Sequence, residues 1–214
     1  SKLEYGDRTF RYAQIDSAVN SAGLTLENTA ATAHHRDLTV AAASSGAKSI
    51  TVTLGATEAT ADYYNEGYIH INDAAGQGQL LRIKDHPAAD ASATLVLTLY
   101  DSLKTAITTS SKADLISSNY KSINTAATTH VGVIVGVSTI AMTANYYGWI
   151  QTSGPCSVLT SGTVVLGHAA VRSDTTAGAI EADDTGSVAQ NTQIGQVLVV
   201  NGDGDNSVIN LNIE

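Results

Sequence analysis

The chain has 214 residues and a mass of 22.1 kDa, enough to bury a sizeable core in one large or two small domains at roughly 100–200 residues per domain, and two is the preferred reading. Its net charge is −9 and its 11 basic residues are scattered, which argues against nucleic acid, whose phosphates need Lys and Arg clustered on one face, and leaves no polybasic run for a membrane surface. Charged residues make up 14% of the chain against about 25% in an average domain, so its surface is largely uncharged and meets another protein surface at small desolvation cost.

No apolar run approaches the ~20 residues of a membrane span, and the opening Ser1-Lys2-Leu3 lacks a signal-peptide core, so the mature chain is expected to be soluble. A single cysteine, Cys156, rules out an internal disulfide and reads as a small buried hydrophobe.

In chain order, residues 1–20 read as an extended N-terminal arm, with Arg8 to Gln14 (RTFRYAQ) as a short strand or arm and only weak helical character over 15–22. The hypothesis attached to the arm is that residues 2–14 contact a partner, so that deleting residues 1–14 abolishes that contact without unfolding the rest. From residue 38 the strand signal is clear. Residues 38–42 and 48–54 form a hairpin around Ser44-Ser45-Gly46-Ala47, with Ile50, Val52 and Leu54 on the core face. Residues 56–65 could form one helical turn, the one helix expected. Residues 67–73 and 79–85 make a second hairpin, ended by Pro87, which has no N–H to donate.

Residues 94–100 follow as a strand with Leu95, Leu97 and Leu99 on one side, and 105–118 reads as a connection with one strand near 114–116. A domain boundary is expected near residue 120. Beyond it, strands are expected at 131–137, 146–152, 156–160, 162–166, 179–181, 194–200 and 208–213, with Tyr146 to Gly167 as a strand-turn-strand unit. The expected fold is therefore all-β and mainly antiparallel: a hairpin-meander domain over 21–120, then a small barrel or sandwich over 121–214, with very little helix.

Catalytic and metal signatures are weak. The six histidines lack zinc spacing: His70 alternates with Ile69 and Ile71 and reads as solvent-facing, and His34-His35 reads as loop. Asn201 to Asn206 (NGDGDN) lacks the terminal Glu of a calcium loop and reads as a hairpin turn, and Glu181, Asp183 and Asp184 read as a solvated loop. Whether a cation binds near Asp183 or Asp203 stays open. There is no GxSxG elbow, and Gly76-Gln77-Gly78 and Gly202-Asp203-Gly204 are fragments of a nucleotide-binding motif that read as turns. No cofactor and no catalytic residue is expected. Tyr147 and Trp149 share a strand face and suit core or interface packing, or a sugar platform.

One set of segments carries a resemblance: Thr9-Phe10-Arg11-Tyr12-Ala13, Thr51 to Thr57 (TVTLGAT), Gly67-Tyr68-Ile69 with Asn72-Asp73, Arg82-Ile83-Lys84 with His86-Pro87, and Tyr147 to Thr152 (YGWIQT) with Gly154-Pro155-Cys156. Together they resemble the head-decoration or minor capsid proteins of tailed bacteriophages. The resemblance implies a non-enzymatic β-rich subunit on the capsid exterior of a virion, often a symmetric homotrimer, whose partner is the major capsid protein; it carries over no catalytic residues. The interaction residues expected from the arm and the Tyr147 strand are Phe10, Arg11, Tyr12, Tyr147 and Trp149. Two other readings remain at this stage. One is a glycan- or receptor-binding module of a phage fibre or adhesin. The other is a polysaccharide hydrolase using Glu181 with Asp183 or Asp205.

Overall fold

The computed structural model describes residues 1–183 and 192–214. The protein is nearly all antiparallel β, with 46% of residues in strands and 1% in helix, in agreement with the expected class. It divides into two compact units, residues 31–118 and residues 1–30 with 119–214. The closed barrel lies in the first of these, whereas the sequence placed a barrel or sandwich after residue 120.

The N-terminal strands are β1 (Lys2–Tyr5), β2 (Arg8–Gln14) and β3 (Thr25–Glu27). The barrel is built by β4 (Leu38–Val40), β5 (Ser49–Thr53), β6 (Tyr68–Asp73), β7 (Leu80–Asp85), β8 (Thr94–Leu99) and β9 (Lys112–Ile116). Their order, β4-β5-β8-β7-β6-β9, closes through β9 pairing with β4. Alternation explains the barrel: Ile50 and Val52, Ile69 and Ile71, Leu81 and Ile83, and Leu95, Leu97 and Leu99 all point into one core, while their neighbours in sequence face outward. Closure leaves these strands no free edge.

Residues 56–65, expected to include a helical turn, form turns instead, and among the described residues the single helical element is a 3-10 turn at Ala33–His35. The reason is in the core. Tyr64 is buried, and its hydroxyl and backbone are both committed, to His35 and His86. The His86 Nε2 accepts from the Tyr64 N–H at 2.9 Å while its Nδ1 donates to the Pro87 carbonyl at 2.7 Å. His35 Nε2 donates to the Thr57 carbonyl at 2.9 Å. Burial pushes the Tyr64 hydroxyl far above the ordinary tyrosine range.

The other unit adds β10 (Asn124–Thr125), β11 (Ile134–Ser138), β12 (Tyr147–Leu159), β13 (Ala169–Arg172), β14 (Ile180–Ala182), β15 (Gln193–Val199) and β16 (Asn206–Asn212). With β1–β3 they form a ten-stranded, curled sheet ordered β10-β3-β11-β12-β16-β15-β13-β14, with β2 on β12 and β1 on β2. The segment expected as a free arm is thus a paired part of the sheet, because Arg8–Gln14 finds a full-length partner in β12 and buries Ala13 completely. The expectation that residues 1–14 can be deleted without unfolding the rest does not fit that pairing.

The expected strand-turn-strand at 146–167 is instead one 13-residue strand followed by a loop at 162–166. Gly154-Pro155 does not turn. Gly154 takes φ +82°, and a Cβ there would lie 2.2 Å from the Asp7 carbonyl oxygen, so the position needs glycine to let the β1–β2 turn approach. Strand β12 is the spine of the sheet: Ile150 is flanked by Arg11 and Ser138, and Ser153 by Thr9 and Asn212.

This sheet has a core on each face. Val137 opposes Gln151 and belongs with Cys156, Val158, Ile209 and Leu211, whereas Ile150 and Ala13 pack with Ile15, Leu26 and Ile123 on the other side. A buried ion pair sits in the same unit: Arg172 and Glu27 lie 3.0 Å apart, both almost fully buried. Arg172 Nε also donates to the Ala127 carbonyl at 2.9 Å and its NH2 group to Thr129, while Glu27 accepts from the Ala127 N–H at 2.9 Å. Together they pin the start of the 127–132 loop from both sides.

Candidate functional site

The β1–β2 hairpin turns on Gly6-Asp7, with Gly6 at φ +62°, and sets Leu3 opposite Phe10 and Tyr5 opposite Arg8. Directly opposed residues share a face, so Leu3, Tyr5, Arg8, Phe10, Tyr12 and Gln14 all point one way. Pairing of β2 with β12 extends that face, because Trp149 opposes Tyr12, Tyr147 opposes Gln14 and Gln151 opposes Phe10. The result is a continuous row of aromatic rings across three strands.

Within the row, the Tyr12 and Tyr147 rings stack at 5.5 Å with planes 12° apart, and Trp149 tilts against Tyr12 at 5.2 Å. The Arg8 guanidinium lies over both the Tyr5 ring, at 5.9 Å, and the Phe10 ring, at 5.5 Å. The row stays open to solvent: Tyr5 is 69% exposed, Tyr147 58% and Tyr12 42%. Isolated exposed hydrophobes are ordinary, but contiguous ones on one rigid sheet face mark contact surfaces.

Just past the row the strand carries a bulge between Gln151 and Ser153, and Gln151 holds it in place. The buried Gln151 amide donates to the carbonyls of Ser153 at 3.0 Å and Pro155 at 2.8 Å. The bulge reverses which residues face the core, so that Cys156 and Val158 are buried on the face where Tyr147 lies exposed and Trp149 half-buried. Burial pushes the Cys156 thiol up to about 12, an effect that nearby Arg8 opposes. At neutral pH it is a protonated core group rather than a nucleophile.

Of the five residues expected to interact, Phe10, Tyr12, Tyr147 and Trp149 are brought together on this face. Arg11 is not. It alternates onto the opposite side, where its guanidinium is paired with the Glu214 carboxylate and covers the Tyr120 ring at 5.4 Å. Leu3, Tyr5 and Arg8 were missed by the sequence reading, although two alternating runs around Gly6-Asp7 are a hairpin signal.

The remaining candidates are dispersed. His70 faces outward on the barrel and meets the Asp114 carboxylate at 3.3 Å. The Asn201–Asn206 segment is a turn between β15 and β16, in which Asp203 accepts from the Gly162 N–H at 2.7 Å. Glu181 accepts from the Asp174 N–H at 3.3 Å, Asp183 is exposed, and Asp184 lies outside the described residues. Among the described residues no group of three or more His, Cys, Asp or Glu side chains is placed to hold a metal ion, and no helix is long and apolar enough to cross a membrane.

No protein-family model matches the chain, and comparison with curated proteins and with solved structures likewise returns no match.

Proposed function

We propose that the protein is a structural subunit of a phage virion that attaches to the outside of the head and stabilises it by contact, using the aromatic row on β1, β2 and β12 against the major capsid protein. The observation that carries the reading is the row itself: rings of Tyr5, Phe10, Tyr12, Tyr147 and Trp149 set on one sheet face, with Tyr5, Tyr12 and Tyr147 exposed and Phe10 and Trp149 half-buried. Aromatic residues and arginine supply most of the energy of protein interfaces, and a lattice of many copies lets each contact be weak.

A second apolar group suits contact between identical copies. Leu198, Val199 and Val200 at the end of β15 are exposed beside Val165 and Leu166, which the Gly167 N–H ties to the Val197 carbonyl at 2.8 Å. A homotrimer built on this patch, with the aromatic row turned to the shell, accounts for both surfaces.

The test is add-back. Particles lacking the subunit are mixed with wild-type protein or with the Tyr12→Ala/Trp149→Ala double variant and sedimented. Wild type is expected to co-sediment and the variant to remain in the supernatant. Equal co-sedimentation of both would overturn the assignment of the row. A glycan array run on the same proteins separates the competing reading, since an adhesin would bind glycans and lose them in the variant, with no retention on particles.

A further inference from the structure

The opposite side of the same sheet unit carries a different surface. Ser153 opposes Asn212, Pro155 opposes Asn210, and Asn210 opposes Gln196, so these side chains stand in register on one face of β12, β16 and β15. Ser153 also opposes Thr9, which alternates with Phe10, so this face is the reverse of the aromatic row. Here a groove of about 400 Å³ is lined by Asp7, Ser153, Gln193, Gln196, Asn210 and Asn212.

We propose that this groove is a binding site for a neutral saccharide, whose hydroxyls exchange hydrogen bonds with its carboxamides and donate to the Asp7 carboxylate. The site is independent of where the protein sits on a particle. The chemistry of the lining selects the ligand class by elimination. Among the described residues no Lys, Arg or His lines the groove, so an anion such as phosphate or sulfate finds no counter-charge there. The Asp7 carboxylate is the one carboxylate among the described lining residues, too few for a calcium site, which needs six to eight oxygen ligands including charged ones. Leu211 is the one large apolar residue among the described lining residues and is itself buried, so a lipid chain finds no apolar wall in them.

What the groove offers is carboxamides, each with two N–H donors and a carbonyl acceptor, together with a hydroxyl and a carboxylate. A sugar hydroxyl both donates and accepts, and a ring carries several on adjacent carbons. The side chains of Gln196, Asn210 and Asn212 are exposed and make no hydrogen bond within the described residues. Their polar atoms are free for a ligand. The platform beneath them is rigid, because they project from paired strands, and neighbouring strands set their rows about 4.8 Å apart. Gly195 and Gly154 let backbones close up under the groove: a Cβ at either would lie 2.2 Å from a carbonyl oxygen, that of Asn210 or of Asp7.

The experiment is an NMR titration of the full, isotope-labelled chain, read at the side-chain amide resonances of Gln193, Gln196, Asn210 and Asn212. The probes are glucose, galactose, N-acetylglucosamine and their β-linked oligomers up to millimolar concentration, with inorganic phosphate as the comparison. At least one saccharide is expected to give saturable shifts at these amides. Asn210→Ala and Asn212→Ala, both at exposed positions that leave the core intact, are expected to weaken binding roughly tenfold each, the size of one lost hydrogen bond, while Trp149→Ala leaves it unchanged. The proposal is overturned if no saccharide moves these amides, if phosphate moves them as strongly, or if the shifts fall on Tyr12, Tyr147 and Trp149 instead. A failure of this kind leaves the head-attachment reading standing, since that rests on the other face.

Discussion

In the barrel of residues 31–118 every strand has a partner on both edges, and one core cluster takes all the inward side chains. In the other unit a single curled sheet is buried on both faces by two separate clusters, and part of one face is left as an open aromatic row. The barrel also leaves Tyr68, Leu80, Val96 and Tyr100 exposed, but among the described residues it is the sheet that stacks exposed rings on one another, Tyr12 on Tyr147. Tyr64 and Leu97 are packed away from water in the barrel, whereas Tyr5 and Tyr12 on the β1–β2 hairpin and Tyr147 on β12 are held out from the sheet, and the proposed docking is assigned to them.

The sharpest way to break that contrast is to strike the buried charge that only the sheet unit contains. Arg172→Leu leaves Glu27 buried without its partner and frees the Ala127 and Thr129 carbonyls, and the expected loss is about 3–5 kcal/mol in urea unfolding. An Arg172→Leu/Glu27→Leu double variant is expected to recover part of that loss, because no charge is then stranded. In the barrel the matching lesion is a cavity. Leu97→Ala, at a fully buried position, is expected to cost about 2–5 kcal/mol by the same measurement.

Alkaline pH sharpens the comparison, since each unit buries a neutral acid, Cys156 in the sheet and Tyr64 in the barrel, whose proton the unfolded chain would release at alkaline pH. The Cys156 thiol is raised from 9.0 to about 12. The folded form holds the proton that the unfolded form releases, so its stability is complete below pH 9 and drains away as pH climbs toward 12. Tyr64 is raised from 10.0 in the same sense, so its contribution begins to fall about one pH unit later. Trp149, the one tryptophan, reports on the sheet unit. Its fluorescence is expected to show loss of structure beginning above pH 9, and Cys156→Val is expected to delay that onset. An unchanged onset in the variant would contradict the assignment.

The smallest expected effect on stability is at the aromatic row. Tyr147→Ala and Tyr5→Ala are expected to shift the urea midpoint little, in line with the few tenths of a kcal/mol, about 0.5 at most, typical of surface sites. Their effect should appear in docking instead.

The same contrast governs what the sequence reveals. Barrel strands alternate strictly, so Ile50-Val52-Leu54, Ile69-Ile71 and Leu95-Leu97-Leu99 announce their buried face, and the β4–β5 and β6–β7 hairpins their pairing. The sheet unit depends on partners far apart in the chain, such as Thr9 with Ser153 and Leu26 with Gly136, and on a bulge that reverses facing within one strand. Local alternation carries neither. Gly154-Pro155 reads as a turn on propensity, yet it is held in a continuous strand by the Gln151 amide and by the close approach of Asp7. For the site, Tyr147 and Trp149 were legible as one face, whereas joining them to Phe10 and Tyr12 required the β2–β12 register. Arg11 looked equivalent to its neighbours because only that register shows it alternating away, toward Glu214.

The claim that the open row is the docking face is tested most directly by a cryo-EM map of heads carrying the subunit. The account expects Tyr12, Tyr147 and Trp149 buried against the shell, with the Gln196–Asn210 face turned outward to solvent. A map with the aromatic row facing solvent, or with the subunit absent from the head surface, would contradict it.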